Sequence, residues 1–422
     1  MVRRDCMDKK IKIIWIASNA PYDRAPAAGG QTFNYYIKGF KKDQRFDVRL
    51  VCWGDINKKE EIEKENRDIV HHVIYTESSI KIKLKKLKNV ESMYNPWNKN
   101  ANLISNYCAD EIFRILIQYK SEGYFPDYII LEWTNTVVLS RQIKKIFPFA
   151  KLVASEHDVT FVGYKRKKDY FSGIKKIQWM QKYNHEKKTE LEALKLCNHV
   201  LPHNADNRNI LLQNGIDEKK IKWLVPYFNN MENCKRKSNH KDILFFGAMS
   251  RPENYLSALW FINNVMPLLN DLNIRFIVLG SKPSDELKNI KSDKVIITGF
   301  VDNIEPYFES AMCLVAPLVL GAGIKVKILE SLSSGIPVLT NDIGIEGIQA
   351  VHEREYFHCT EPSEYEKYIR ALYNKEIDEE KLEENSRQFM KKNFDIKKSL
   401  NDYKEMLLLS VNGKKQVPFC SI

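Results

Sequence analysis

The 422-residue chain has no uninterrupted apolar stretch near the ~20 residues that a bilayer-spanning helix needs. Its longest candidate, Ala311 to Ile324, is broken by Pro317, Gly321 and Gly323. The opening, MVRRDCMDKKIKIIWIASNAP, has an apolar core of about six residues, below the roughly 7–15 of a signal peptide. That run reads better as a first buried strand. Eight cysteines are scattered without a C-x-x-C pair, so neither a disulfide framework nor a zinc spacing is present. D-x-D, the short acidic motif that holds a divalent ion against a diphosphate, is missing too, and so is any low-complexity tract. These absences predict a chain that is neither secreted nor membrane-spanning, with reduced thiols, in the cytoplasm.

What is present is an uneven positive charge. The net formal charge is +12, from 66 basic and 54 acidic residues. Residues 1–240 hold 44 basic and 28 acidic side chains, and residues 241–422 hold the remaining 22 and 26. One half is strongly basic and the other mildly acidic, which predicts two domains facing different partners. An anionic small molecule, an anionic membrane surface and nucleic acid all suit the basic half. The signatures that accompany nucleic-acid binding, such as a helix-turn-helix or an RNA-recognition pattern, are lacking, so no nucleic-acid partner is expected.

Short apolar runs recur along the first half: IKIIWIAS (Ile11–Ser18), VRLVCW (Val48–Trp53), YIILEW (Tyr128–Trp133), KLVASE (Lys151–Glu156) and NHVLPH (Asn198–His203). Helix-length amphipathic segments such as 102–119 and 177–196 lie between them. Strands buried on both faces, alternating with helices, predict a parallel sheet covered on both sides. Met231–Asp242 is polar and basic without apolar period and reads as a linker. The alternation then restarts with ILFFG, RFIVLG, KVIITG, CLVAP and PVLT. The expected architecture is α/β, with a first domain over 1–235, a second over 236–395, and a helical segment over 396–422 that returns to the first. Two such sheets would face each other across an interdomain cleft, with ligands outside the carboxyl ends of the strands.

The segment richest in chemistry is PLVLGAGIKVKILESLSSGIPVLTNDIGIEGI (Pro317–Ile348). A strand ends at Pro317, a loop carries Gly321, Ala322 and Gly323, and a helix starts near Ile324 or Lys325, with Lys325 in its first turn. Free amides at a helix start, with the helix dipole behind them, suit a phosphate. A cation in the first turn disfavours the isolated helix, and an anionic ligand would explain Lys325 and Lys327 there. Glu330, one turn beyond Lys327, could accept hydrogen bonds from sugar hydroxyls. The same spacing equally fits a glycine-capped loop followed by a surface Glu–Lys pair. In the basic half, Gly29 and Gly30 permit close backbone approach in AAGGQTF. Glu156, His157 and Asp158 follow a strand, as do His203 and Asn204. Ile80–Asn89 and Tyr164–Lys176 interleave basic with apolar and aromatic residues. Each Lys or Arg beside an anionic leaflet is worth about 1 kcal/mol, so these segments could hold the chain peripherally on a membrane.

The run G-x-G-x-K-x-K-I-L-E-x-L-x-x-G-I-P-V, followed by G-x-E-G-I, resembles the retaining, nucleotide-sugar-dependent glycosyltransferases of family four, the group 1 transferases, which have the GT-B fold of two Rossmann-like domains. The likeness is tightest over Ile243–Ile348 and looser in the first half. It implies that Glu330 binds the ribose, that Lys327 and Arg251 neutralise the diphosphate, and that Gly323, Ile324 and Lys325 offer backbone amides to the donor. It implies that Gly29, Gly30 and Gln31 overlie the donor phosphates, and that His157, with Asp158, contacts the donor sugar. Asn254 stands where many members carry a lysine and is counted with the donor-binding positions. Ala248 replaces a family arginine, leaving Arg251 displaced. Ala322 replaces the first glutamate of Glu-x7-Glu, so the family's sugar-facing carboxylate is missing. The resemblance thus predicts a metal-independent transferase with no cofactor. It would take a UDP- or GDP-sugar as donor and a lipid-linked or other saccharide hydroxyl as acceptor, in cell-surface polysaccharide assembly on the inner leaflet. A GT-B nucleotide-sugar 2-epimerase, and a non-catalytic partner subunit or binding protein, are the alternatives.

Overall fold

The computed structural model describes residues 10–23, 25, 27–76, 103–237, 241–321 and 323–411. The basic run 80–89 and Ala322 lie outside the described residues. Packing divides the chain into two units, the first ending at Tyr227 and regaining the chain from Ile396, the second spanning Phe228–Asp395.

The first unit is one parallel sheet of β1 (Ile11–Ala17), β2 (Phe46–Asp55), β3 (Val70–Thr76), β4 (Tyr128–Glu132), β5 (Lys151–Glu156) and β6 (His199–Pro202). Their order is β3-β2-β1-β4-β5-β6. Alternate residues of β1 feed two cores. Ile14 and Ile16 point into one with Ile112, Leu116 and Leu131, and Ile13 and Trp15 point into the other with Phe33, Phe40 and Tyr403. A strand buried on both faces must be apolar at every position, which is why IKIIWIAS shows no alternation. Helix α1 (Ala28–Lys41) follows β1, and the antiparallel pair α2 (Thr160–Tyr170) and α3 (Gly173–Leu196) follows β5.

The second unit repeats the plan with β7 (Asp242–Phe246), β8 (Arg275–Leu279), β9 (Val295–Gly299), β10 (Ala311–Ala316), β11 (Val338–Thr340) and β12 (Phe357–His358). Their order, β12-β11-β10-β7-β8-β9, is again parallel. In each sheet the strand order reverses once, between β1 and β4 and between β7 and β10. That reversal is where open α/β sheets leave a crevice at the carboxyl ends of their strands. Helix α4 (Pro252–Asn264) follows β7, and α5 (Val326–Ser334) follows β10. Lys325 was expected inside the first turn of α5 but is its N-cap, at φ −97° and ψ 99°. Its side chain accounts for the shift, because Nζ bonds the Gly323 carbonyl and reaches the Glu346 carboxylate. Gly335 ends the helix in the left-handed conformation, φ 80°, that favours glycine.

The segment read as a linker is anchored to the second unit. Met231 N–H donates to Ser333 Oγ at 3.0 Å, and Arg236 bridges to Glu379 at 2.9 Å. Helix α6 (Ile396–Val411) packs on the first unit. Its Tyr403, Met406 and Leu407 join the Trp15 core, and each such buried side chain is worth about 1.5–3 kcal/mol. Tyr36 Oη bonds Ser399 Oγ at 2.7 Å, and Tyr128 Oη donates to the Leu407 carbonyl at 2.9 Å. Gly39 lets α6 cross α1 closely, since a Cβ there would overlap Leu400.

Candidate functional site

In the second unit the polar groups gather at the carboxyl ends of β7 and β10. Lys327, in the first turn of α5, turns its Nζ to Asn254 Oδ1 at 2.7 Å and lies 4.4 Å over the Phe245 ring. Asn254 is held in turn by the Ala248 carbonyl, 2.9 Å from its Nδ2. Gly247 makes this approach possible, because a Cβ there would sit 2.8 Å from Asn254 Nδ2 and 3.0 Å from Lys327 Nζ. Asn254 thus supplies an acceptor for the lysine that follows β10. Burial lowers the Lys327 pKa from 10.5 to about 7, with Arg251 and Lys325 pushing the same way and Glu253 and Glu330 opposing.

The N-terminus of α5 has no side-chain cap and no acidic residue in its first turn. Its leading amides, its dipole and the Lys327 cation together suit a phosphate. Glu330 accepts from Asn229 N–H at 3.2 Å, and burial pushes its carboxyl up to about 7. Arg251 is the N-cap of α4, ion-paired with Glu253 and with its side chain 60% exposed. Lys325, Gly323 and Ile324 form the turn before α5, and Gly323 takes φ 70°. The second unit thus brings together Lys327, Asn254, Glu330, Lys325, Gly323 and Ile324, while Arg251 extends into solvent beside them.

In the first unit a second polar group forms at the ends of β4, β5 and β6. Glu132, 2% exposed, closes β4 and meets three hydrogen-bonding partners. Trp15 Nε1 donates to it at 2.8 Å and Ser155 Oγ at 2.7 Å, and His157 Nε2 lies 2.6 Å from its Oε1. Ser155 also meets His203 Nε2 at 3.1 Å, and the His157 and His203 rings lie 4.2 Å apart. Trp133 stacks on His157 at 4.5 Å and 16°. It does so at φ 69°, a conformation that costs about 1–3 kcal/mol in a non-glycine residue and that collects at functional sites. Gly29, in the first turn of α1, is close to both rings: a Cβ there would lie 3.1 Å from His157 Nδ1 and 3.3 Å from Trp133 Nε1. Burial holds the His157 pKa near about 3 and lifts Glu132 to about 7. Glu156, also buried, accepts from Thr134 Oγ1 at 2.6 Å and is pushed up to about 8.

Asp158 is exposed next to this group. Gln31 turns its amide to the Ala25 carbonyl at 3.2 Å, and a Cβ on Gly30 would press on Ala25 at 3.1 Å, so both shape the loop before α1. Asn204 caps a helix, its Oδ1 accepting from Asn207 N–H at 2.6 Å. The ligand atoms of Glu132, His157 and His203 lie within 4.8 Å of one another, a spacing that could hold a metal ion. The hydrogen bonds already account for it, since both Glu132 oxygens are engaged by donors. Sequence reading missed Glu132 and Trp133. The only available signal was an acid closing an otherwise apolar strand, YIILEW.

Residues 240–375 match the family model described as glycosyl transferases group 1. A Klebsiella pneumoniae protein described as an uncharacterized 44.6 kDa protein in the cps region is 25% identical over 196 residues. That alignment takes in 43% of this chain, which spans about half the length of that curated relative. Among solved structures, HepE of Anabaena in complex with UDP aligns over 94% of this chain and 100% of its own, at 14% identity and a TM-score of 0.64. Sucrose-phosphate synthase of Thermosynechococcus elongatus aligns over 96% and 100%, at 13% identity and 0.66. A glycosyltransferase of Rickettsia africae aligns over 96% and 100%, at 17% and 0.62.

Proposed function

With residues 240–375 carrying the group 1 glycosyl transferase pattern on a GT-B fold, we propose that the protein is a metal-independent, retaining glycosyltransferase. It would move a hexosyl group from a UDP- or GDP-sugar to a hydroxyl of a lipid-linked saccharide in cell-surface polysaccharide biosynthesis. One observation carries this reading: Lys327, largely withdrawn from water and held by Asn254 at an uncapped helix start, is a cation suited to an anion. A nucleotide diphosphate meets both needs, and Glu330 one turn on is suited to ribose hydroxyls. HepE, crystallised with UDP, supports a uridine nucleotide, and the relative in a cps region supports polysaccharide assembly.

In the proposed reaction the acceptor oxygen bonds to the anomeric carbon on the face from which the sugar–phosphate bond breaks. The bonding electrons leave with the phosphate oxygen, and that oxygen takes the acceptor's proton. Lys327, the α5 amides and Arg251 stabilise the charge gathering on the diphosphate. His157 and Asp158 position the sugar.

The test is binding of UDP, GDP and their sugars, read as thermal stabilisation. Lys327→Ala and Glu330→Ala should each weaken binding about tenfold or more. Nucleotide release that depends on a saccharide acceptor selects the transferase. Conversion without acceptor selects the epimerase, and wild-type protein that binds no nucleotide sugar leaves only a binding role.

The α2–α3 pair supports peripheral attachment to an anionic leaflet, in keeping with a lipid-linked acceptor. Among the described residues no helix is long and apolar enough to cross a membrane. Yet Ile174 is 77% exposed where α3 starts, followed by exposed Ile177 and Met180. Seven basic side chains between Lys165 and Lys182 face a single acid, Asp169. Vesicles containing phosphatidylglycerol should retain the protein at low salt and release it at high salt. Ile174→Asp should abolish retention, and equal retention by purely zwitterionic vesicles would refute the attachment.

A further inference from the structure

We infer that Glu132 is a positioning residue that holds His157 as the tautomer protonated on Nε2, leaving Nδ1 as a hydrogen-bond acceptor beside Gly29 for a hydroxyl of the sugar. The proposal rests on the reading of the first unit's rim as a sugar-contacting site, and adds which partner His157 can accept there: a donor hydroxyl, not an anionic oxygen.

The argument is one of donor and acceptor inventory. An indole nitrogen only donates, so Trp15 commits Glu132 Oε2 to accepting at 2.8 Å. Oε1 is then the atom facing both Ser155 Oγ at 2.7 Å and His157 Nε2 at 2.6 Å. An ionised carboxylate accepts from both, and the proton of a neutral imidazole must sit on Nε2. A two-nitrogen ring that donates through Nε2 can only accept through Nδ1. Burial strongly disfavours a second proton on His157, so Nδ1 keeps its lone pair. Two features guard that lone pair's surroundings. Trp133 stacks on one ring face in its strained conformation, and position 29 carries no Cβ, which would stand 3.1 Å from Nδ1. The residues facing the pair from neighbouring elements are His203 on β6's end, Glu156 on β5, and Tyr36 and Tyr403 on α1 and α6. Burial keeps both tyrosines protonated and His203 neutral.

Glu132→Gln gives a sharp test, because the same inventory forces its outcome. Trp15 must keep the amide oxygen, so the amide NH2 faces His157 Nε2. The imidazole must then accept there and move its proton to Nδ1. Histidine-selective 15N spectra at about pH 8, above the about 7 at which Glu132 releases its proton, read both states, with His157→Asn assigning the signal. The expected result is an Nε2–H tautomer in the wild type and an Nδ1–H tautomer in Glu132→Gln. Sugar transfer should fall about tenfold or more, with nucleotide binding by the second unit unchanged. Should the variant not fold, acidifying the wild type through about 7 must produce the same exchange. An Nδ1–H tautomer in the wild type at about pH 8 would overturn the inference. So would lost transfer in Glu132→Gln with the tautomer unmoved, or zinc shifting the His157 and His203 signals together. If the wild type binds no nucleotide yet shows the two tautomers, the proposed activity fails and the positioning stands.

Discussion

Lys327→Met should make the nucleotide-free protein more stable, although it removes the cation proposed to hold the donor. A lysine whose pKa falls from 10.5 to about 7 on folding binds fewer protons in the folded than in the unfolded chain between those values. Stability therefore rises with pH across that window, and the cation's cost is fully felt below about 7. At about 1.4 kcal/mol per pH unit the cost is about 5 kcal/mol for a fully buried group. Lys327 keeps some solvent contact, so screening brings that to about 2 kcal/mol. Methionine keeps most of the apolar stem but loses the cation over the Phe245 ring and leaves Asn254 Oδ1 without its donor, which together cost about 1 kcal/mol. The net gain of about 1 kcal/mol corresponds to a rise of about 2–4 °C in Tm for a unit of this size. Thermal unfolding of both proteins from pH 7 to 10 is the assay. The gain should shrink as pH approaches 10.5, where the unfolded lysine also loses its proton. A variant less stable at pH 7, or a difference that does not change with pH, would refute the view of Lys327 as a desolvated cation. Such a cost, relieved by an anion, is a mark of function.

Nucleotide binding should itself depend on pH. A diphosphate beside Lys327 raises its pKa above about 7, so binding takes up a proton. Affinity is then highest below about pH 7 and falls above it, by up to about tenfold per pH unit until the bound-state value is passed. Titration calorimetry should show this fall in the wild type and a flat profile in Lys327→Met. Gly335→Ala tests the end of α5, since a Cβ at φ 80° would overlap Glu383 and sit 2.8 Å from Arg387 Nε. It should cost about 1–3 kcal/mol in a denaturant melt, and a neutral outcome would mean that the facing segment, 379–393, yields freely.

The second unit's site was the more legible of the two because its signals are local. Lys327 and Glu330 lie three residues apart on a single helix. The glycines before that helix, its apolar Ile328, Leu329 and Leu332, and Gly335 after it form one continuous pattern. Asn254 lies 73 residues from the lysine it orients, and its role could not be read from its own neighbourhood. The first unit's site was hidden for the same reason, magnified. Trp15, Glu132, His157 and His203 come from four strands or the residues just after them, and Trp15 is 117 residues from the carboxylate it binds.

The amino-acid order alone determined the alternating strands and helices, the doubling of the plan and the phosphate-suited start of α5. Each of these follows from periodicity, glycine placement and charge within about twenty residues of chain. Tertiary structure decided which polar side chains lose water and which partner each one meets. Desolvation depends on everything packed around a group, so the same glutamate is a part-exposed acid paired with an arginine at Glu253 and, at Glu132, a buried carboxylate that dictates where a histidine keeps its proton.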